Sequence, residues 1–418
     1  MRGYNLLPAI VFLPTRRRCD EAASEVALDR SQKADPDRQI RRQQIFESFA
    51  AEHPEVLDHK HSKVIVNAGV AAHHAGHIPS WKLLIEKMMS AGLLNALFAT
   101  STVAAGVDFP ARTVVITNAD TRGNDGWRPL TASELQQMTG RAGRRGRDNV
   151  GFVVVAPGQF QNPKKIAELL KAPPDALESR FRATYTSLLN LLDAFGNFEQ
   201  VREIVEKSFA FRRSRRQSAD SREEDGAEIL SDRIWEPFEC RAKVLDHFSY
   251  IDFESESVTE SGKWLADLRI DRPLLIGEAL RQGIFDELKA PEAAGLMASV
   301  AADAERSYGE MRSTRGMTAI LDHFDGIVAA VSNIEWKNGV EPAEEINYSA
   351  AAAAERWTAG MQWDELVDRT RAEEGDLVRL LSRTGEALRQ LADLSASNPT
   401  AAAIARAASE TILREPVR

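Results

Sequence analysis

Over the first 160 positions, apolar residues fall in short unbroken runs, each separated from the next by a stretch of helical spacing or polar chain. Residues 9–13 (AIVFL), 69–75 (GVAAHHA), 95–100 (NALFAT), 112–119 (RTVVITNA) and 150–157 (VGFVVVAP) read as strands. Unbroken apolar runs of this length suit strands covered on both faces. Residues 18–28 (RCDEAASEVAL) and 79–92 (PSWKLLIEKMMSAG) carry apolar positions three and four apart, the second opened by Pro79 and closed by Gly92. The alternation predicts an α/β domain with a parallel sheet and helices on both faces. Residues 30–63 are polar and add a helix around 41–51 and a loop.

After about residue 160 the strand pattern nearly vanishes. Residues 176–195 and 198–211 have helical periodicity. Residues 212–232 are polar, mixed in charge and poor in aromatics, which predicts a flexible connection. Helical patterns resume from Ile234 and run to the end, and the alanine runs at 350–354 and 401–408 suit close helix packing.

Composition narrows the class. The chain has 418 residues, enough for several domains at roughly 100–200 residues each. With 43% hydrophobic and 28% charged residues it has a soluble, globular balance. No run approaches the roughly 18 apolar residues of a membrane span. The apolar start lacks a small-residue cleavage site and reads as a buried strand, not a leader. Two distant cysteines, Cys19 and Cys240, exclude a disulfide scaffold and suit a reducing, cytoplasmic setting. The net charge of −9 excludes a uniform polyanion-binding field. Charge is uneven, however. Residues 1–160 hold 20 Lys and Arg against 16 Asp and Glu, and the rest hold 33 against 46. A grip on phosphate must therefore come from local patches.

The sharpest patch is residues 136–148, QQMTGRAGRRGRD. It sets Arg141, Arg144, Arg145 and Arg147 among Gly140, Gly143 and Gly146. Glycines permit close backbone approach, and guanidinium groups make bidentate bonds to phosphate. Upstream, residues 99–116 (ATSTVAAGVDFPARTVVI) place Thr100, Ser101, Gly106 and Asp108 just past a buried strand. His73, His74 and His77 cluster at a strand-to-helix junction. With no cysteine or carboxylate near them in sequence, a structural role outweighs metal ligation, and no metal site is expected.

Taken in order, these strings resemble the second RecA-like lobe of a superfamily 2 helicase of the Ski2-like DExH group. AIVFLPTRRRCDEAA (9–23) resembles motif IV, HHAGHIPSWKLLIEKMMSAG with ATSTVAAGVDFPART the segment running into motif V, and QMTGRAGRRGRD motif VI. Residues 177–192 with 205–213 resemble the start of the family's winged-helix region, 242–288 its later part and the opening of the helical domain, and 354–394 the C-terminal bundle. The end of the chain resembles the RNA-acting branch more than its DNA-acting relatives. The resemblance implies a RecA-like lobe over 1–160, a winged-helix-like region over 161–270 with a short flexible insert near 212–232, and a helical bundle over 271–418.

Two departures stand out. Only the short polar stretch near 212–232 occupies the place of the family's long arch. No G-x-x-x-x-G-K-[ST] and no D-E-x-[DH] occurs in the chain, so the P-loop and the acidic Mg²⁺ motif of a first lobe are absent from it. The resemblance then implies half an ATP site. Arg144 is the candidate arginine finger, Arg141 stands beside it, and Gln137 orients the region. Gly106 and Asp108 meet the nucleotide side. Thr100, Ser101, Thr15 and Arg16 contact the nucleic-acid backbone, although Thr15 reads equally well as a helix N-cap. A helix over 375–391 offers Arg379, Arg383 and Arg389 as further contacts. Phe181, Tyr185, Trp357 and Trp363 have the spacing of core residues more than of base-stacking ones.

The implied function is that of the C-terminal part of an ATP-dependent RNA helicase. ATP and Mg²⁺ would act only with a first RecA lobe, in cis on a longer chain or in trans, and the chain alone would be inactive. The implied partner is single-stranded RNA, with DNA possible, and no membrane. Two alternatives are a non-catalytic nucleic-acid-binding or scaffold protein derived from a helicase, and part of a DNA-acting repair helicase.

Overall fold

The computed structural model describes the chain except residues 30–34, 105–110, 124–125, 157, 159–160, 177–181, 208–224, 304–305 and 343–344. It divides into two compact units. The first is Met1–Ala176 together with Glu373–Asp376, and the second is Leu177–Ala372 with Leu377–Arg418.

The first unit is built on the expected strands: β1 (Ala9–Phe12), β2 (Val70–His73), β3 (Ala96–Ala99), β4 (Thr113–Ile116) and, after a separate hairpin of β5 (Asp120–Gly123) and β6 (Gly126–Pro129), β7 (Phe152–Val155). The main sheet has the order β2-β3-β1-β4-β7, and every neighbouring pair in it is parallel. In register, Val11 stands beside Phe98, and Phe98 beside Ala72. On that face they pack with Val70 against Cys19 and Ala23 of α1 (Arg16–Leu28). The alternate positions Ile10, Phe12, Leu97 and Val114 are also buried, so both faces are covered there, whereas edge strand β7 leaves Phe152 and Val153 exposed despite its apolar run.

The other helices of this unit are α2 (Pro36–Glu52), α3 (Ser62–Ala68), α4 (Pro79–Ser90), α5 (Ala132–Thr139) and α6 (Pro163–Lys171). Helix α4 opens on Pro79 and is followed by Gly92 in the left-handed region, φ 71°, as its residues predict. The expected boundary at residue 160 moves to Ala176. Helix α6 stays with the first unit because Gln136 donates to the Ala172 carbonyl at 2.8 Å and Asp175 accepts from the Ser133 amide at 2.8 Å.

The second unit is mainly helical: α7 (Tyr185–Phe195), α8 (Phe198–Glu206), α9 (Asp225–His247), a two-stranded hairpin of β8 (Ile251–Asp252) and β9 (Ser257–Val258), α10 (Glu260–Asp267), α11 (Pro273–Arg281), α12 (Ala290–Ala301), α13 (Arg315–Lys337), α14 (Tyr348–Thr358), α15 (Trp363–Thr370), α16 (Glu374–Asp393) and α17 (Pro399–Ile412). Two expectations change here. Residues 225–232 of the expected flexible insert are helical, part of α9, while 212–224 lie outside the described residues. The expected break at 270 is not a break, since one core runs from Tyr185 and Leu188 through Tyr250 and Leu275 to Leu381 and Val417. The alanines of α14 are fully buried, and Gly295 of α12 lies so close to Ala351 that a Cβ there would stand 3.1 Å from its carbonyl oxygen. That is the close packing the alanine run predicts. Among the described residues, no helix is long and apolar enough to cross a membrane.

Candidate nucleotide and nucleic-acid site

Because the main sheet is parallel throughout, it has one amino edge and one carboxyl edge, and the sequence candidates divide between them. Thr15 and Arg16 follow β1, and Thr100 and Ser101 follow β3, so these four lie at the carboxyl ends of adjacent strands. The arginine turn lies at the other edge. It leaves α5 and enters β7, and it pairs through Ala142 with Ala111, the residue two before β4.

Local chemistry shapes that turn. Thr131 and Glu134 form a capping box at the start of α5, and Arg128 of β6 hydrogen-bonds the same Glu134 carboxylate, holding it below its usual range. Gln137 is exposed on the last turn of the helix. The Ala111 amide donates to the Arg141 carbonyl at 3.1 Å, and the Gly143 amide donates to the Ala111 carbonyl at 2.7 Å. Gly143, at φ 92°, permits this reversal. Gly151 lets the turn lie against the start of β7, since a Cβ there would fall 2.5 Å from the Ala142 carbonyl.

Arg144 is not a loose side chain. Its Nε and Nη2 donate to the two oxygens of Asp148 at 2.7 and 3.0 Å, and its own amide donates to the same carboxylate at 3.1 Å. Arg112 adds a bond at 3.1 Å. The Asp148 side chain is 1% exposed. The hydrogen bond from Arg144 comes first among the effects that pull its carboxyl down to about 2. Sequence reading took Asp148 as the end of a motif and missed it as the clasp of Arg144. Arg141 is half-buried beside it. Gly106 and Asp108 lie outside the described residues.

At the carboxyl edge, Thr15 is the N-cap of α1, and its hydroxyl accepts from the Arg18 amide at 3.3 Å. Arg16 bonds Glu373 and, at 2.8 Å, Asp376, so two carboxylates hold it where phosphate was expected. The Thr100 and Thr102 hydroxyls share a bond of 2.9 Å, and Ser101 begins a short helical turn.

In the second unit, Arg379 and Arg389 are exposed on α16, while Arg383 is bonded to Asp271 and, at 2.9 Å, Asp303. Tyr185 and Trp357 are core. The Tyr185 hydroxyl donates to Glu335 at 2.8 Å, and the Trp357 indole donates to the Ile412 carbonyl at 2.8 Å. Trp363 packs edge-on to Trp357, and Phe181 lies outside the described residues. Sequence reading also missed a cleft of about 650 Å³ lined by Arg312, Arg356, Arg369 and Arg371, with Glu310 as its carboxylate. These arginines are scattered over 60 positions, so no local string could reveal them.

Comparison with known proteins bears on this arrangement. Residues 55–146, which include the arginine turn as far as Gly146, match the helicase conserved C-terminal domain. Residues 255–418 match the DSHCT (NUC185) domain. These two domains, with the relatives they bring, support a C-terminal portion of a Ski2-like DExH helicase. The chain is 35% identical over 231 residues to the DExH-box ATP-dependent RNA helicase DExH15, chloroplastic, of Arabidopsis thaliana, covering 50% of this chain and 19% of the relative. It is 35% identical over 223 residues to the Superkiller complex protein 2 of Homo sapiens, covering 52% and 18%. Against the antiviral helicase SKI2 of Saccharomyces cerevisiae it is 33% identical over 233 residues, covering 50% and 16%. The matched stretch thus spans less than a fifth of each of these family members.

Proposed function

We propose that this chain is the strand-gripping and arginine-finger half of an ATP-dependent RNA helicase. In this reading Arg144 and Arg141 reach the γ-phosphate of an ATP whose P-loop and Mg²⁺ ligands come from a first RecA lobe, in cis or in trans. Gln137 orients the region, and Gly106 and Asp108 face the nucleotide. Thr15, Arg16, Thr100, Ser101, Arg379 and Arg383 hold single-stranded RNA by its sugar–phosphate backbone, which positions a strand without reading its sequence.

The observation that carries the reading is the arginine turn itself. Its backbone is bonded to Ala111 on one side and lies against Gly151 on the other, which supports a turn held in one conformation from which the arginines extend. An anion can compete for Arg144 because Asp148 is itself a carboxylate with the same bidentate geometry.

The experiment is ATP hydrolysis by the chain alone, and by the chain with a purified first RecA lobe from a family member, each with single-stranded RNA. Turnover is expected only in the mixture, and Arg144→Ala should lower it by about 10³–10⁵, the usual worth of an arginine finger. Turnover by the chain alone, or a mixture indifferent to Arg144→Ala, would overturn the reading.

A further inference from the structure

The histidine cluster that sequence reading set aside becomes a different object once folded. The reason for discounting it was the lack of a nearby carboxylate. The fold supplies one from 54 positions earlier. The side chain of Asp20, on α1, reaches His74 and His77 in the turn between β2 and α4. Asp20 Oδ1 lies 3.2 Å from His74 Nε2 and 3.3 Å from His77 Nε2. The ligating atoms of all three lie within 4.8 Å of one another.

We propose that Asp20, His74 and His77 form a binding site for a divalent transition-metal ion of the Zn²⁺ class.

Geometry is the first argument. A tetrahedral Zn²⁺ with bonds of about 2.0–2.1 Å sets its ligand atoms about 3.3 Å apart. Both distances from Asp20 match that edge, and the third, between the two histidines, lies within 4.8 Å. The donor set, two imidazoles and one carboxylate, suits zinc over calcium or magnesium, which take oxygen. With three protein ligands, a fourth position is left for water.

The second argument is what a purely hydrogen-bonded cluster fails to explain. His77 is 2% exposed, yet its Nδ1 has no hydrogen-bond partner and its Nε2 has only the 3.3 Å approach to Asp20 Oδ1. An unmade hydrogen bond on a buried polar group costs about 1–3 kcal/mol. A leucine would fill the place without that cost. A metal bond at Nε2 gives the imidazole a reason to be there.

The surroundings supply support and one opposing contact. His61 Nε2 stands 2.8 Å from Asp20 Oδ1, and Lys60 Nζ donates to Oδ2 at 2.6 Å, which together orient the carboxylate to ligate through one oxygen. The Gly76 amide donates to His74 Nδ1 at 3.2 Å, which places the ring proton on Nε2 in the metal-free protein. Ligation must shift that proton and turn the Gly76 amide away. The loss is two hydrogen bonds, from the Gly76 amide to Nδ1 and between Nε2 and Asp20, which the metal bonds to Nε2 and Oδ1 must outweigh.

The test uses the full chain, treated with chelator and then titrated with Co²⁺ and afterwards Zn²⁺. One equivalent of Co²⁺ should produce the intense visible absorption of tetrahedral cobalt. Zn²⁺ should bleach it and raise the midpoint of thermal unfolding. His77→Leu and Asp20→Asn should each abolish the colour and weaken Zn²⁺ binding by more than about 100-fold, with helix content kept in at least one of them. A weak octahedral cobalt spectrum, or no saturable binding by the wild-type chain, overturns the proposal whatever the variants do. Colour that persists in both variants places the ion elsewhere and also overturns it.

Discussion

Arg144 and Asp148 show how one residue pair can hold a turn. The guanidinium rests on a carboxylate that is held near pKa 2 against its ordinary 3.8. A depressed carboxyl contributes stability that is complete above its unfolded value and is lost as pH falls through its folded value. The clasp should therefore be intact above about pH 4 and be lost as the pH drops towards 2. Asp148→Asn should destabilise the first unit by about 1–3 kcal/mol at neutral pH. Denaturant unfolding of both proteins from pH 7 to pH 2 checks this. A difference that fails to shrink across that range would mean Asp148 acts through packing, not charge. Thr15 makes a smaller point at the same scale. Its hydroxyl is already committed to the Arg18 amide, so the capping role foreseen from sequence is real whatever else the residue does.

At the scale of elements, the buried strands were legible because strands covered on both faces leave apolar runs that nothing else in a soluble chain requires. The five sheet strands fall within the stretches foreseen, each shortened at its ends. The β5–β6 hairpin was missed, although Asn124-Asp125-Gly126 is a turn signal between its two arms. Its strands carry Arg122, Trp127 and Arg128 in place of an apolar run, which hid it. The carboxylate beside His74 and His77, and the arginines of the 650 Å³ cleft, were illegible for a different reason. Their partners are set by tertiary packing, and no spacing rule spans 54 positions. Gly151 was legible only in hindsight. Gly151→Ala would drive a Cβ into the Ala142 carbonyl, where backbone and not a flexible side chain must yield. A loss of about 1–3 kcal/mol is expected in chemical denaturation, together with loss of any ATP turnover reconstituted with a first lobe. Unchanged stability would show that the arginine turn can shift as a body.

For the whole molecule, the charge count warns against treating RNA affinity as a bulk property. The net charge is −9, so attraction must come from a few placed cations acting against the average. Affinity for single-stranded RNA should fall with salt, with a slope of about −0.7 in log–log form for each phosphate neutralised. Arg379→Ala should weaken binding to all sequences alike and flatten that slope by about 0.7. Binding that ignores salt would place the contacts on bases instead. For Arg383 to contribute, a phosphate must first draw it from Asp271 and Asp303.

The division of candidates between two edges of a parallel sheet has a mechanical side. Thr100 and Ser101 stand at the carboxyl edge, whereas Ala111, bonded to both Arg141 and Gly143, stands at the amino edge. Only ten peptide bonds join Ser101 to Ala111, and four residues of strand already measure about 13 Å. A stretch of that length reaches at most about 35 Å fully extended. On the proposed function, so short a stretch of sequence joins the hand on the strand to the latch on the fuel. If so, residues inserted there should let the chain, reconstituted with a first lobe, hydrolyse ATP that RNA no longer stimulates.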